Sequence, residues 1–65
     1  MVDAVLLFKE KRDEAVKHIK EEGLGEVKPI GERAAYVELD PNKLTIEGLI
    51  RKLKDKGIPT VVSAL

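Results

Sequence analysis

The chain of 65 residues contains no cysteine and no tryptophan, and it has one methionine, one histidine, one tyrosine and one phenylalanine. Without cysteine it can form neither disulfides nor thiolate metal sites. No apolar run approaches the roughly 20 residues that a membrane span requires. The N-terminus also lacks the basic and then apolar order of a signal peptide. We therefore expect a cytoplasmic protein that does not bind a membrane.

An excess of charge of either sign is absent as well, because twelve basic residues are balanced by twelve acidic ones. General polyanion binders carry a basic excess, so the composition disfavours that class. Charged residues nevertheless make up 37% of the chain. This bias is found in proteins from very hot environments and in designed sequences with Glu and Lys on their helix surfaces. Either origin predicts a thermostable protein.

The most regular part of the chain, residues 35–58, predicts a strand followed by an amphipathic helix. Apolar and polar residues alternate over residues 35–40, with the period of two that a half-buried strand shows. Thr45 is the expected N-cap of the helix, because its hydroxyl can accept a free backbone N–H. Gly57 is the expected residue after the helix end, with Ile58 packing back on the last turn in a Schellman motif.

The other predicted elements are, in chain order, a strand over residues 2–8, a helix over 13–22, a strand over 26–30 and a strand over 58–65. The first strand is almost continuously apolar, which is typical of a central strand. Asp13 is the expected cap of the helix, and starts at Lys9 or Lys11 stay open. Pro29 places the next strand at a sheet edge, because proline cannot donate to a ladder.

An internal repeat supports two similar β-α-β halves, since Ile19–Leu24 and Leu53–Ile58 share the order apolar, lysine, acid, charged, glycine, apolar. The element order is β-α-β-β-α-β. Right-handed crossovers then give a four-stranded antiparallel sheet in the order 4-1-3-2, with both helices on one face. We therefore predict a single ferredoxin-like α+β sandwich over residues 1–65.

The stretch 35–58 resembles the second half of heavy-metal-associated domains, the ferredoxin-like modules of copper chaperones and metal-transport ATPases. The matching positions are Ala35, Val37, Leu39, Asp40, Pro41, Leu44, Thr45, Glu47, Leu49, Ile50, Leu53, Gly57 and Ile58. That family binds soft metal ions through a Met-x-Cys-x-x-Cys loop after its first strand, and thiolates suit such ions. Residues 8–12 occupy this position here without any sulfur, and Met1 and His18 supply no ligand set. The resemblance therefore implies the fold and partner docking, while metal and cofactor binding are not expected.

The first candidate functional surface is the sheet face that the helices leave uncovered. Alternation along the first strand puts large apolar groups on this face in either phase: Val5 and Leu7 in one, Ala4, Leu6 and Phe8 in the other. The residues assigned to partner binding are Val5, Leu7, Tyr36 and Val61. On the last strand, Leu65 accompanies Val61 in one phase, and Val62 is the alternative in the other. An exposed apolar patch on a small domain indicates a protein interface. We expect a non-catalytic interaction module that self-associates or binds a partner protein.

Two alternatives stay open. Single-stranded nucleic acid is the second candidate ligand, because aromatic residues on the central strands of this fold stack bases in RNA-recognition domains. The residues for that role are Lys9, Lys11, Arg12 and Tyr36. The third hypothesis is a designed ferredoxin-like protein with no biological function, which would show the same regular caps and turns. No acid–base pair, nucleophile or phosphate-binding loop stands out, so catalysis is not expected.

Overall fold

A computed structural model describes residues 2–63, and it confirms the predicted fold. The elements are β1 (Val2–Phe8), α1 (Arg12–Glu21), β2 (Gly25–Ile30), β3 (Ala34–Leu39), α2 (Ile46–Asp55) and β4 (Thr60–Ser63). All neighbouring strands are antiparallel, and the sheet order is β2-β3-β1-β4. Read from the other edge, this is the predicted order 4-1-3-2 of a ferredoxin-like α+β sandwich. Ala64 and Leu65, the end of the predicted last strand, lie outside the described residues.

The start of α1 differs from the cap predicted at Asp13. The helix begins at Arg12 after an N-cap at Lys11, whose backbone is left-handed with φ 61° and whose side chain forms no capping hydrogen bond. Asp13 therefore lies in the first helical turn, where a carboxylate interacts favourably with the positive end of the helix dipole. One of its oxygens accepts a hydrogen bond from Arg12 Nε at 2.9 Å.

Both helices end in the predicted Schellman motif, which is what the internal repeat encodes. The amide of Ile58 donates to the carbonyl of Leu53 at 2.9 Å, and the amide of Leu24 donates to that of Ile19 at 3.2 Å. The glycine before each donor adopts the positive φ that this motif requires, 80° after α2 and 63° after α1. These local rules explain why the helix ends were predictable.

The predicted N-cap of α2 is also confirmed. Thr45 Oγ1 accepts a hydrogen bond from the amide of Gly48 at 3.0 Å. The capping box lacks its usual carboxylate, because Gly48 stands at that position, and Leu44 Cδ1 lies 2.9 Å from the place of an added Cβ. The side chain of Leu44 thus occupies the space over the first turn.

One hydrophobic core lies between the sheet and the two helices. Its buried members are Ala4, Leu6, Phe8, Ala15, Ile19, Val27, Ala35, Val37, Leu39, Leu49, Leu53 and Ile58. The core includes Ala4, Leu6 and Phe8 of β1. The odd-numbered residues of this strand therefore lie on the open face, so of the two predicted alternatives it is Val5 and Leu7 that face away from the helices. The two helices also end side by side, since Lys56 Nζ lies 3.7 Å from Glu22 Oε2 and these are the C-cap residues of α2 and α1.

Candidate interaction surface

The open face of the sheet carries its side chains in three rows that cross the strands. The strand register defines these rows, because residues paired across antiparallel strands stand side by side on the same face. The apolar row consists of Ile30, Ala34, Leu7 and Val61. The middle row consists of Lys28, Tyr36, Val5 and Ser63. The acidic row consists, among the described residues, of Glu26, Glu38 and Asp3.

The apolar row exposes three large aliphatic side chains to solvent. Leu7 is 44% exposed, Ile30 46% and Val61 64%. Neighbouring strands lie about 4.8 Å apart, so the row forms a continuous strip roughly 14 Å long across the whole sheet. The strip lies at the end of the sheet where the β2–β3 hairpin turns and where β1 leads into α1.

The residues that the sequence assigned to partner binding share this face. Val5 pairs with Tyr36 in the middle row, and Leu7 pairs with Val61 in the apolar row. Val62, the alternative to Val61, pairs with Leu6 and therefore lies on the helix side of the sheet. Leu65 lies outside the described residues.

Ile30 is a member of the surface that the sequence reasoning missed. It ends the weak strand that contains Pro29, and the sequence of that strand shows no regular alternation of polar and apolar residues. The signal that locates it is the hairpin register, in which Ile30 pairs with Ala34 across the turn at residues 31–33. The same register places Lys28 beside Tyr36.

Tyr36 connects the middle row to the acidic row. Its hydroxyl donates a hydrogen bond to Asp3 Oδ2 at 2.8 Å and lies 3.5 Å from Glu38 Oε1. The hydrogen bond to Asp3, loss of hydration and the negative charges of Asp3 and Glu38 together raise the pKa of Tyr36 from 10.0 to about 12. The phenol therefore stays protonated and hydrogen-bonded over the whole physiological pH range.

Replacing Asp3 with asparagine is expected to lower the pKa of Tyr36 toward 10, because the largest cause of the shift is removed. Since the folded-state pKa lies above the unfolded value, the interaction stabilises the protein fully below pH 10. That stabilisation is lost as the pH rises through about 12. Ultraviolet titration of the single tyrosine measures the shift directly.

Glu26→Gln provides the matched control for that titration. Glu26 stands in the same acidic row but makes no contact with the phenol. Its replacement should leave the midpoint unchanged. Identical midpoints for the unsubstituted chain and Asp3→Asn would contradict the assigned cause.

Arg12, one of the four nucleic-acid candidates, is held against the protein itself. Its Nη1 donates to the carbonyls of Ala34 at 2.8 Å and Gly31 at 3.0 Å, and lies 3.4 Å from that of Ile30. The side chain is only 13% exposed. Its guanidinium thus fastens the β2–β3 turn to the start of α1, and it is not directed toward an external phosphate.

The other nucleic-acid candidates divide between two places. Lys9 and Lys11 are exposed in the loop between β1 and α1. Tyr36 lies on the open face beside two carboxylates, and Lys28 is the single cation in the three rows. A nucleic-acid strand lying over this face would meet the acidic row, which repels phosphates. The charge distribution therefore disfavours nucleic acid as a ligand of this face.

The described residues contain no group of three or more His, Cys, Asp or Glu side chains that could hold a metal ion. None of the helices in that part of the chain is long and apolar enough to cross a membrane. A groove of about 420 Å³ runs between α1 and β2, beside Val16, Lys20 and Pro29. It is shallow and open, so it encloses no small molecule, unlike a typical ligand pocket.

Comparison with known proteins adds no relative to this description, since no family model, curated protein or solved structure matches the chain. The class of the protein is therefore defined by its own fold and surface. It is a ferredoxin-like α+β domain whose open sheet face has an apolar end and an acidic end.

Proposed function

We propose that this chain is a non-catalytic interaction module that binds protein through its open sheet face. The observation that carries the proposal is the apolar row, in which Leu7, Ile30 and Val61 are each 44% or more exposed and only Ala34 lies between Ile30 and Leu7. Contiguous exposed apolar side chains on a small domain are typical of interaction sites. In these terms the chain resembles a heavy-metal-associated domain that keeps the docking function without the metal ligands.

The strength of binding follows from the size of the row. Full burial of a leucine, isoleucine or valine side chain contributes about 1.5–3 kcal/mol, and these three side chains are already about half buried. The row therefore supplies roughly 2–4 kcal/mol to an interface. Association costs about 4–15 kcal/mol in lost translation and rotation. The row alone does not offset this cost, so the rest of the face must contribute, and the complex is expected to be transient.

Two adjacent valines allow a matched test of this proposal. Val61 is 64% exposed on the open face, whereas Val62 is 40% exposed on the helix side of the same strand. A glutamate at either position reaches solvent, so both variants should fold. We expect Val61→Glu to abolish protein binding by the face and Val62→Glu to leave it intact.

The measurement uses the immobilised chain and quantitative mass spectrometry of proteins retained from a lysate of the source cells. Proteins that bind the open face should be retained by the unsubstituted chain and by Val62→Glu, and at least tenfold less by Val61→Glu. Leu7→Glu, which pairs with Val61, should reproduce the loss. Equal retention by Val61→Glu and Val62→Glu would show that the open face is not the binding site.

A further inference from the structure

We infer that the free edge of β2 pairs with the same edge of a second copy of this chain, with Val27 lying beside Val27 of the second copy. The two sheets then join into one continuous antiparallel sheet, with the helices of both copies on one side and both open faces on the other. The edge is a different surface from the open face, so this pairing does not depend on the proposed function. Two features of β2 point to this partner, the direction of its backbone groups and the charges beside them.

Strand β2 is an outer strand of the sheet, and alternate residues turn their backbone groups away from it. The amide of Phe8 donates to the carbonyl of Arg33 at 2.7 Å, so the odd-numbered residues along β3 bond to β1. The even-numbered residues of β3 therefore bond to β2, through the even-numbered residues with which they pair. The backbone groups of Gly25, Val27 and Pro29 consequently point out of the sheet.

Pro29 occupies one of these outward positions, where its missing N–H removes no hydrogen bond from the ladder with β3. The outward amides therefore belong to Gly25 and Val27, whereas all three residues present an outward carbonyl. Backbone groups of this kind at a sheet edge are a template for pairing with another strand. The edge thus presents a defined pattern of donors and acceptors to a partner strand.

That pattern is complementary to itself when Val27 lies on a two-fold axis normal to the sheet. Outward residues must face outward residues in an antiparallel pair, so Gly25 then stands opposite Pro29 of the second copy. The amide of Gly25 donates to the carbonyl of this proline, and the two Val27 residues exchange their hydrogen bonds. Every outward amide of both edges is used, and only the carbonyl of Gly25, at the end of the pairing, receives no donor.

The side chains beside the edge select the same register. Glu26 and Lys28 are exposed, and neither forms an ion pair among residues 2–63. With Val27 on the axis, Glu26 of each copy stands directly opposite Lys28 of the other, and opposite charges at such positions stabilise a sheet. An axis through Glu26 or Lys28 would instead oppose like charges, which is destabilising. An axis through Pro29 would oppose two residues that have no amide.

On the helix side, the second copy covers grooves that the single chain leaves open. A groove of about 420 Å³ lies between α1 and β2, and one of about 400 Å³ continues along β2. The two-fold axis lays the α1 helices of the two copies antiparallel on this side of the sheet, so Val16 and Pro29 become covered. The charged residues of α1 that line the first groove balance in sign, and they are Asp13, Lys17, Lys20 and Glu21. The helices therefore present no net charge to each other.

Sedimentation equilibrium at millimolar concentration tests the pairing by exchange of two exposed charges. The unsubstituted chain should dimerise. Glu26→Lys and Lys28→Glu each place like charges opposite each other on both sides of the axis, so each should weaken the dimer roughly tenfold. The double variant Glu26→Lys with Lys28→Glu brings opposite charges together again, and it should dimerise as the unsubstituted chain does.

A monomer of the unsubstituted chain would overturn the pairing, and it is the result expected if Lys28 and Pro29 only protect the edge from other strands. A double variant that dimerises as weakly as the single ones would overturn it too. Val61→Glu changes the open face and should leave the dimer intact. Loss of the dimer in this variant would place the contact on the open face and contradict pairing at the edge, whereas protein retention in the lysate experiment tests the proposed function separately.

The geometry of the dimer is tested with a spin label, because a chain without cysteine accepts one at a single introduced site. Val61→Cys places the label on β4, at the far edge of the sheet from β2. Pairing through β2 separates the two labels by the width of both sheets, or roughly 35–40 Å. A separation below roughly 20 Å would overturn the inferred pairing, since contact through β4 or the open face brings the labels that close.

Discussion

Replacement of Arg12 by methionine is expected to lower the free energy of unfolding by about 3 kcal/mol. The guanidinium donates hydrogen bonds at 2.8 and 3.0 Å to the carbonyls of Ala34 and Gly31, which lie on the far side of a hairpin. Methionine preserves most of the packing of the stem but leaves those carbonyls without their charged donor. Urea denaturation measures the difference in unfolding free energy, with the slope expected to stay constant.

Arg33→Met is the matched control, because it removes the same side chain from an exposed position in the turn that Arg12 fastens. It should change the stability by less than about 0.5 kcal/mol, as surface substitutions usually do. Equal losses in the two variants would contradict the fastening role. The comparison also bears on nucleic-acid binding, because an arginine that served only to contact phosphates could be replaced without loss of stability.

Gly25→Ala is expected to destabilise the protein by a similar amount, about 3 kcal/mol, for a purely steric reason. A Cβ at this position would lie 2.4 Å from the carbonyl oxygen of Glu38 and 2.7 Å from Leu39 Cδ2. The oxygen belongs to the backbone of β3, so the strands themselves have to separate. Amide exchange should then accelerate selectively in β2 and in its partner residues on β3.

Gly31→Ala separates this steric effect from the general cost of replacing a glycine. Gly31 has a φ of 58° but no atom within 4 Å of an added Cβ, so alanine there meets only the left-handed backbone penalty of roughly 1 kcal/mol. Its amide exchange should change only at the turn. If Gly25→Ala lowers the free energy of unfolding no more than Gly31→Ala does, then β2 and β3 can separate at Gly25 without cost.

The losses of stability expected for Arg12→Met and Gly25→Ala both affect the hairpin that carries part of the candidate surface. Arg12 and Gly25 act at opposite ends of the β2–β3 hairpin, and that hairpin contributes Ile30 to the apolar row and Glu26 and Glu38 to the acidic row. A shift in the hairpin would therefore change the register of both rows. Stability and binding should fall together in these variants, whereas Val61→Glu should affect binding alone.

The parts of the fold that were predictable from the sequence are those with local physical causes. Thr45 caps α2 because a hydroxyl at that position can accept the amide three residues later. Gly23 and Gly57 end the helices because glycine adopts a positive φ without steric cost. The strand order follows in turn, because a central apolar strand, an edge proline and right-handed crossovers leave few topologies.

The N-cap of α1 was predicted at Asp13, two residues after its observed position at Lys11, which was only an open alternative, because the cause of this start is not local. Asp13 is the better capping residue by type, yet Lys11 takes the cap position in a left-handed conformation. This places Arg12 where its guanidinium reaches carbonyls 18 to 22 residues away in the chain. The short window of residues around a helix start contains no information about such a contact.

The element order, the cap of α2, both helix ends and the presence of a partly apolar open face were predictable from the sequence, because each depends on residue type at short spacing. Which face of β1 is buried became known only from the packed sheet, since an almost continuous apolar run has no period of its own. The tertiary structure also decided that Leu7, Ile30 and Val61 form one row and Asp3, Glu26 and Glu38 another. The hairpin turn sets the β2–β3 pairs of those rows, whereas the other pairs depend on the register of β1 with β3 and β4, which are distant from it in sequence.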